Sequence, residues 1–392
     1  MTKKVLILIL AVAALAVAVA GCKADTGKTS TVTTKEPIKV GAVLSVTGAN
    51  GPLGDPEKKV LEMEVDKVNK AGGINGRKLE MVIEDDESDA TKAVAALNKL
   101  VKVDKVCAII GSSGSTPTLA MKPMTAKEKI PQICLAAGNQ ITKTDYKWIF
   151  RTAHNETYVF EKAIDYFSST LKVKKLAILH DSNAYGQGGA DTIKQIAPGK
   201  GMTIVATEKY DSTATDVTTQ LTSIKAANPD CIIIWGTNPV PAVAVKNMKQ
   251  LGMNIPVLGS QGIANAKFIE LAGDAANGVV FPAVWVLVPS DVPSNSPQKP
   301  AIDSLVKDYT AKYGAAPNSF AGHAWDAFHI LVKAMETAGS DKSKIRDQIE
   351  KTKGFAGVDG VFNYSATNHD GVNTKDLVII KIEKGKWVLG SK

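Results

Sequence analysis

Short runs that are almost wholly apolar alternate with longer stretches of helical spacing, and this alternation runs through the chain twice. The apolar runs cover residues 38–44, 79–84, 106–110, 133–135, 176–180, 203–205, 231–235 and 257–259. Between them lie segments 57–70, 90–101, 163–171, 191–196, 217–226 and 243–251. In the first of these, Leu61, Val65 and Val68 share one helical face while Lys and Glu occupy the others. Strands that lack the polar–apolar alternation of a half-exposed sheet must be covered on both sides, as they are in parallel sheets flanked by crossover helices. Asn75-Gly76 marks a turn before the second strand, and Asp89 is placed to cap the helix that follows it. One βα series spans 38–151 and a second 158–281. After Pro282 the pattern changes to a Pro- and Ser-rich loop (289–300), helices near 301–313 and 320–338, and a closing strand at 377–382. The expected architecture is α/β, with two doubly wound parallel-sheet lobes.

The beginning of the chain has a separate logic. Lys3 and Lys4 precede an apolar run from Val5 to Ala20, followed by Gly21 and Cys22. A basic start, a short apolar stretch and small residues make an export signal, and the run is too short and Ala-rich for a confident span. The Cys directly after Ala-Gly resembles a bacterial lipobox, which implies a lipid on Cys22 and a mature chain beginning there. The stretch KADTGKTSTVTTKEP that follows offers almost nothing apolar to offset the entropy of ordering, and so reads as a flexible tether.

Composition narrows the function classes. The chain of 392 residues carries 47 Lys and Arg against 39 Asp and Glu, a formal charge of +8, yet the bases are interleaved with acids throughout. No basic block forms a nucleic-acid footprint. His154, His180, His323, His329 and His369 lack zinc spacing, and no nucleophile elbow or HExxH motif occurs. The loop Gly111-Ser112-Ser113-Gly114-Ser115-Thr116-Pro117 lacks the Gly-Lys-Ser/Thr ending of a phosphate-binding loop. No cofactor is therefore expected, and an enzyme is the weaker class. Asp85-Asp86 after the second strand reads as a solvated loop before it reads as a cation site. Cys107, Cys134 and Cys231 sit in apolar strands without paired spacing, as buried free thiols would.

Several stretches together carry a family resemblance. Ile38-Lys39-Val40-Gly41 leads to Gly48, Gly51-Pro52 and Gly54-Asp55, then to Asn69-Lys70-Ala71-Gly72-Gly73-Ile74-Asn75-Gly76-Arg77 and Glu84-Asp85-Asp86. Phe150-Arg151-Thr152, DSNAYG from Asp181 to Gly186, Gly259-Ser260-Gln261-Gly262 and Ala324-Trp325-Asp326-Ala327 follow. In this order they resemble the Leu/Ile/Val-binding family of substrate-binding proteins for ABC importers. The resemblance implies the type I periplasmic binding protein fold, with a ligand cleft between lobes joined by three crossovers near 151–155, 284–288 and 364–375. It divides the chain into a signal peptide (1–21), a lipidated tether (22–37), lobe I (38–153 plus 287–365) and lobe II (154–286 plus 366–392). It also implies ABC permease subunits as partners, contact with the membrane through the lipid alone, and a position facing the periplasm or cell exterior. A sensory receptor on the same fold is the rival from another class.

Parallel α/β sheets bind ligands beyond the carboxyl ends of their strands. The Ser-rich loop there runs into a helix whose N–H groups and dipole suit a carboxylate. The resemblance assigns that carboxylate to Ser115, with backbone groups of Ala136 and Gly138. It assigns the opposing lobe's share to Tyr185, Trp235, Thr237 and Gln261, with Leu53, Phe320 and His323 as further candidates. Relatives that bind amino acids fix the ligand ammonium with a glutamate where this chain has Gln261, helped by Thr or Ser where it has Gly138. The family's small disulfide is also missing, since its positions match Ser88 and Gly114. Two ligand readings stand at this point. A carboxylate without an α-ammonium, aliphatic or aromatic, follows from the lost anion. An amino acid stays possible if Asp181 or Asp326 points into the cleft.

Overall fold

A computed structural model describes residues 36–391 with the exception of residue 145. The expected signal peptide, Cys22 and most of the tether therefore lie outside the described residues.

The first sheet is built by β1 (Ile38–Leu44), β2 (Leu79–Asp85), β3 (Ile109–Gly111), β4 (Gln132–Cys134) and β5 (Ile149–Arg151). Helices α1 (Gly51–Lys70), α2 (Ala90–Lys102), α3 (Ser115–Glu128) and the short α4 (Gln140–Lys143) connect them. All its pairings are parallel, in the order β2-β1-β3-β4-β5. Buried Val40, Ala42, Val43 and Leu44 of β1 are covered on both faces, the cause of its continuous apolar run.

The second sheet comprises β6 (Lys175–Asp181), β7 (Thr203–Tyr210), β8 (Cys231–Trp235), β9 (Val257–Gly259) and β10 (Val280–Ala283). Its connections are α5 (Glu156–Tyr166), α6 (Ala184–Ile196), α7 (Thr218–Ala226), α8 (Val240–Gln250) and α9 (Ala266–Ala272). The chain then returns to the first sheet's side as α10 (Lys299–Tyr313), α11 (Ser319–Ala338) and α12 (Lys342–Glu350), followed by a small ribbon of β11 (Phe355–Ala356) and β12 (Val361–Phe362). There α11 packs on α1, β3 and β4. Strands β13 (Val378–Glu383) and β14 (Lys386–Ser391) go back to the second sheet, whose order is β14-β13-β10-β9-β8-β6-β7. These last two pair antiparallel, β13 with β10 and β14 with β13, and give an otherwise parallel sheet an antiparallel edge.

The chain thus passes between the sheets after β5, after β10 and before β13. The second of these passages is a short 3₁₀ turn, Trp285–Leu287, that is buried. Among the described residues no helix is long and apolar enough to cross a membrane. Helix α1 begins six residues earlier than its apolar spacing predicts, at Gly51. Pro52 occupies its first turn, where a missing N–H costs nothing. Gly54 is required there because a Cβ would lie 2.2 Å from the Ser45 carbonyl oxygen at the end of β1. The helix expected at 163–171 is displaced too, to Glu156–Tyr166 with a π-helical turn at Phe167–Leu171. Asp89 does cap α2, accepting from the Lys92 N–H at 2.8 Å.

Candidate functional site

In each sheet the strand order reverses direction, between β1 and β3 in the first and between β6 and β8 in the second. Loops leaving a parallel sheet on either side of such a reversal diverge and open a crevice at the strand carboxyl ends. The two crevices face each other and enclose about 480 Å³, mouth included. From the first sheet come Asn50 after β1, Ser113 to Thr116 after β3, Leu135 and Ala137 after β4, and Ala153 after β5. The second contributes Asn183 and Tyr185 after β6, Thr237 after β8, and Gln261 with Gly262 after β9. Leu53 of α1 and Phe320 and His323 of α11 complete the wall.

The polar end of this cavity is at α3. Pro117 in its first turn has no N–H to leave unpaired, while the N–H groups of Ser115 and Thr116 have no partner among the described residues. Ser115 Oγ accepts from the Gly138 N–H at 3.0 Å, which leaves the hydroxyl proton for a ligand oxygen. A side chain at Gly138 would press on Ser115, since a Cβ would lie 3.0 Å from Ser115 Oγ and 3.1 Å from Ser115 Cβ. Arg151, fully buried, fixes this loop from behind. Its guanidinium donates to the Ala137 carbonyl at 2.8 Å, the Gly138 carbonyl at 2.9 Å and Thr142 Oγ1 at 2.6 Å, with Nε 2.7 Å from Asp370 Oδ1. Sequence reasoning gave Arg151 no role of its own, because a buried cation spent on carbonyls leaves no local pattern.

Two buried acids stand behind the Ser-rich loop and outside the cavity. Ser112 Oγ donates to Asp86 at 2.5 Å, and Ser113 Oγ donates to Glu57 while accepting from the Ser45 N–H at 3.0 Å. Burial pushes the Glu57 carboxyl well above the usual carboxylate range, against the lowering effect of Ser113. Asp86 is raised by burial as well. Asp85 is spent on the N–H groups of Val46, Thr47 and Glu87. The Asp85-Asp86 pair is thus a clamp for neighbouring loops, and no cluster of metal-binding side chains occurs among the described residues.

Of the residues singled out from the sequence, Leu53, Ser115, Tyr185, Thr237, Gln261, Phe320 and His323 line the cavity, and Gly138 touches Ser115. Trp235 does not line it. It is fully buried on the face of β8 that α6 covers, where a Cβ on Gly189 would come within 2.1 Å of its Nε1. Its ring lies 5.9 Å from that of Tyr185, so it supports a cavity residue from the core. Ala136, expected to act through its backbone, is not among the lining residues. Its side chain packs with Cys134, Ile141 and Ile149, while its neighbours Leu135 and Ala137 reach the cavity. Extended backbone sends successive side chains to opposite sides, so the Ala136 side chain turns away while its backbone stays between two lining residues. Cys107, Cys134 and Cys231 are buried and unbridged.

Among the described residues, no Asp or Glu side chain lines the cavity. Asp326 is fully buried and accepts the N–H groups of Val358 at 2.7 Å and Asp359 at 2.8 Å. Asp181 accepts from Ser212 Oγ at 2.6 Å and the Asn183 N–H at 3.0 Å. Gln261 spends its amide N–H on the His154 carbonyl at 2.7 Å, in the first passage between the sheets. The lobes also meet directly at the rim. Thr237 Oγ1 donates to Asn50 Oδ1 at 3.0 Å, and the Ala184 N–H donates to Thr116 Oγ1 at 3.2 Å.

Comparison with known proteins agrees with this geometry. A sequence model described as periplasmic binding protein matches residues 37–386. The leucine-, isoleucine-, valine-, threonine- and alanine-binding protein of Pseudomonas aeruginosa is 28% identical over 80% of this chain and 82% of its own length. An extracellular ligand-binding receptor from Rhodopseudomonas palustris superposes with a TM-score of 0.85 at 29% identity, covering 90% of this chain and 99% of that one. The branched-chain amino acid transporter substrate-binding protein of Streptococcus pneumoniae, solved with isoleucine, gives 0.80 at 26% identity over 90% and 97% of the two chains. These relatives are binding proteins rather than enzymes, and the family implies export. The chain belongs to the periplasmic binding protein family.

Proposed function

We propose that this protein is the solute-capturing component of an ABC importer, held at the outer face of a membrane by a lipid on Cys22, and that its ligand is a small carboxylate without an α-ammonium. The observation that carries the ligand assignment is the composition of the cavity wall. Hydroxyl and backbone N–H donors gather at the start of α3, and no carboxylate faces them. A carboxylate and an ammonium about 4 Å apart attract by about 4 kcal/mol at an effective dielectric of about 20. Without such a partner, a desolvated ammonium is costly. The Gln261 carbonyl oxygen is a neutral acceptor and supplies no compensating charge.

The names of the P. aeruginosa and S. pneumoniae relatives favour a second reading, a branched-chain amino acid. At 26–28% identity the fold is shared while individual wall residues are free to differ. In either case a ligand that touches both walls favours closure by its differential affinity for the closed form. The anchor rests on Lys3, Lys4, the apolar run to Ala20 and the placement of Cys22 after Gly21. Permease subunits are the partner that a closed, tethered carrier serves.

Mass spectrometry of the small molecule released on denaturing protein purified from its native host tests the ligand assignment. A carboxylic acid lacking an α-amine is the expected result. Release of leucine, isoleucine or valine as the dominant species overturns it.

A further inference from the structure

The cavity wall carries a set of apolar side chains. Leu53, Leu135, Ala153 and Phe320 line it, and His323 stands among them with 3% of its surface exposed. The ring is fixed. Its Nδ1 lies 2.5 Å from Asp359 Oδ2, and Asp359 is fully buried behind it. The backbone carbonyl of His323 accepts from Thr152 Oγ1 at 2.9 Å, and Phe320 meets the ring edge-on at 5.7 Å between centroids. Gly322 leaves space for the carboxylate, since a Cβ there would fall 2.5 Å from Asp359 Oδ1. With Nδ1 committed to Asp359, Nε2 is the one polar atom the ring has left. It has no partner among the described residues, and it belongs to a side chain that lines the cavity.

We propose that His323, oriented by Asp359, is a specificity-determining residue that selects ligands bearing an oxygen at the end remote from the carboxylate, such as hydroxy acids or dicarboxylates. This rests on the carboxylate reading above. A ring nitrogen enclosed by hydrocarbon loses its water when the lobes close and regains a hydrogen bond only if the ligand supplies one. A hydrocarbon tail leaves it unpaired. Sites built to hydrogen-bond a polar group reject the analogue lacking it far more strongly than apolar pockets reject an extra methylene. Asp359 holds Nδ1–H, which fixes the ring orientation and leaves Nε2 to accept from a hydroxyl or, once protonated, to donate to a carboxylate.

Calorimetry with the mature protein, after stripping any retained ligand, tests this with a panel of short aliphatic and aromatic acids, each with and without a terminal hydroxyl or carboxylate. Leucine is included. Two variants separate recognition from folding. His323→Asn keeps an amide N–H in reach of Asp359 and removes the atom facing the cavity, whereas His323→Gln restores a polar atom on that side. The proposal expects at least one oxygenated acid to bind about tenfold or more tighter than its hydrocarbon partner. His323→Asn should remove that preference by weakening the oxygenated acid and tightening its hydrocarbon partner, which no longer strands a buried ring nitrogen, and His323→Gln should return part of it. Equal affinities across the pairs, or a preference that survives in His323→Asn, overturn the role of His323 and leave the carboxylate reading standing. Binding of leucine with no response to any acid overturns the carboxylate reading and this proposal with it.

Discussion

The two walls of the cleft are built from the same βα logic and differ in what stands behind them. Behind the first-sheet wall lies a buried polar scaffold. Glu57 and Asp86 hold the Ser-rich loop, and Arg151 holds the loop after β4, so the donors around Ser115 are fixed before any ligand arrives. Behind Tyr185 of the second-sheet wall lies hydrocarbon, with Tyr185 resting on Trp235 and Trp235 under α6, while buried Asp181 and Ser260 tie only the loops beside it. Its polar groups are turned to other tasks, Gln261 to the first passage between the sheets and Thr237 to the opposite rim. On the proposed reading, the first wall would hold the ligand's charge and the second would close over it. Fixed donors cost no reorganisation on binding, while an apolar cover strengthens their field by excluding water.

The largest expected effect comes from charging the second wall. Gln261→Glu sets a carboxylate toward the ligand's own, and two like charges about 4 Å apart repel by about 4 kcal/mol at an effective dielectric of about 20. Affinity for an ammonium-free acid should fall by at least a hundredfold in calorimetry, and affinity for the matching amino acid should rise. Unchanged acid binding would mean that Gln261 does not face the ligand and would break the contrast between walls. Next is Ser115→Ala on the first wall. A hydrogen bond to a charged group contributes about 1.5–3 kcal/mol, so a loss of about tenfold to a hundredfold is expected with little change in melting temperature.

A smaller effect should follow Thr237→Val, which removes the rim contact to Asn50. A neutral hydrogen bond is worth about 1 kcal/mol net. A few-fold weaker affinity, carried by faster release in stopped-flow kinetics, is the outcome that fits a closing role. Glu156→Gln should leave affinity nearly unchanged and alter stability instead. Burial pushes the Glu156 carboxyl from 4.5 up to about 8, offset in part by the Asn139 N–H and Arg151. A carboxyl whose folded value is raised stabilises most below its unfolded value, and that contribution is lost as pH rises toward the folded value. Wild-type melting temperature should therefore carry a decline between about pH 4.5 and pH 8 that the Gln variant lacks. Parallel pH profiles would show that Glu156 ionises equally in both states.

Much of this architecture is legible in the sequence wherever burial on both faces forces an unbroken apolar run. Residues 38–44, 231–235 and 257–259 coincide with β1, β8 and β9. Strands β5, β10 and β14 escape, for identifiable reasons. The first ends in Arg151, the second contains Pro282, and the third is a half-exposed edge strand with Lys386 and Gly390 in it. β10 also pairs with β13, about a hundred residues further along the chain, so no local period announces it. The cleft was traceable because strand ends and Gly-rich loops mark the crevice, which located the Ser115 loop and Gln261. What a side chain does just past a strand end depends on what packs over it. Trp235 reads as a cleft aromatic until α6, admitted by Gly189, is seen to cover it. The network of Arg151, Asp370 and Thr142 joins residues far apart in the chain and has no motif.

Thermal stabilisation of the ligand-stripped mature protein by leucine, valine and phenylalanine, each against its keto and deaminated partners, tests the central claim most directly. At a hundred times its dissociation constant a ligand adds about 2.7 kcal/mol, enough to raise the melting temperature visibly. The account predicts that an ammonium-free partner stabilises and the amino acid of the same pair does not. Stabilisation by the amino acids alone would contradict it, and would mean that the second wall supplies an ammonium with an anion after all.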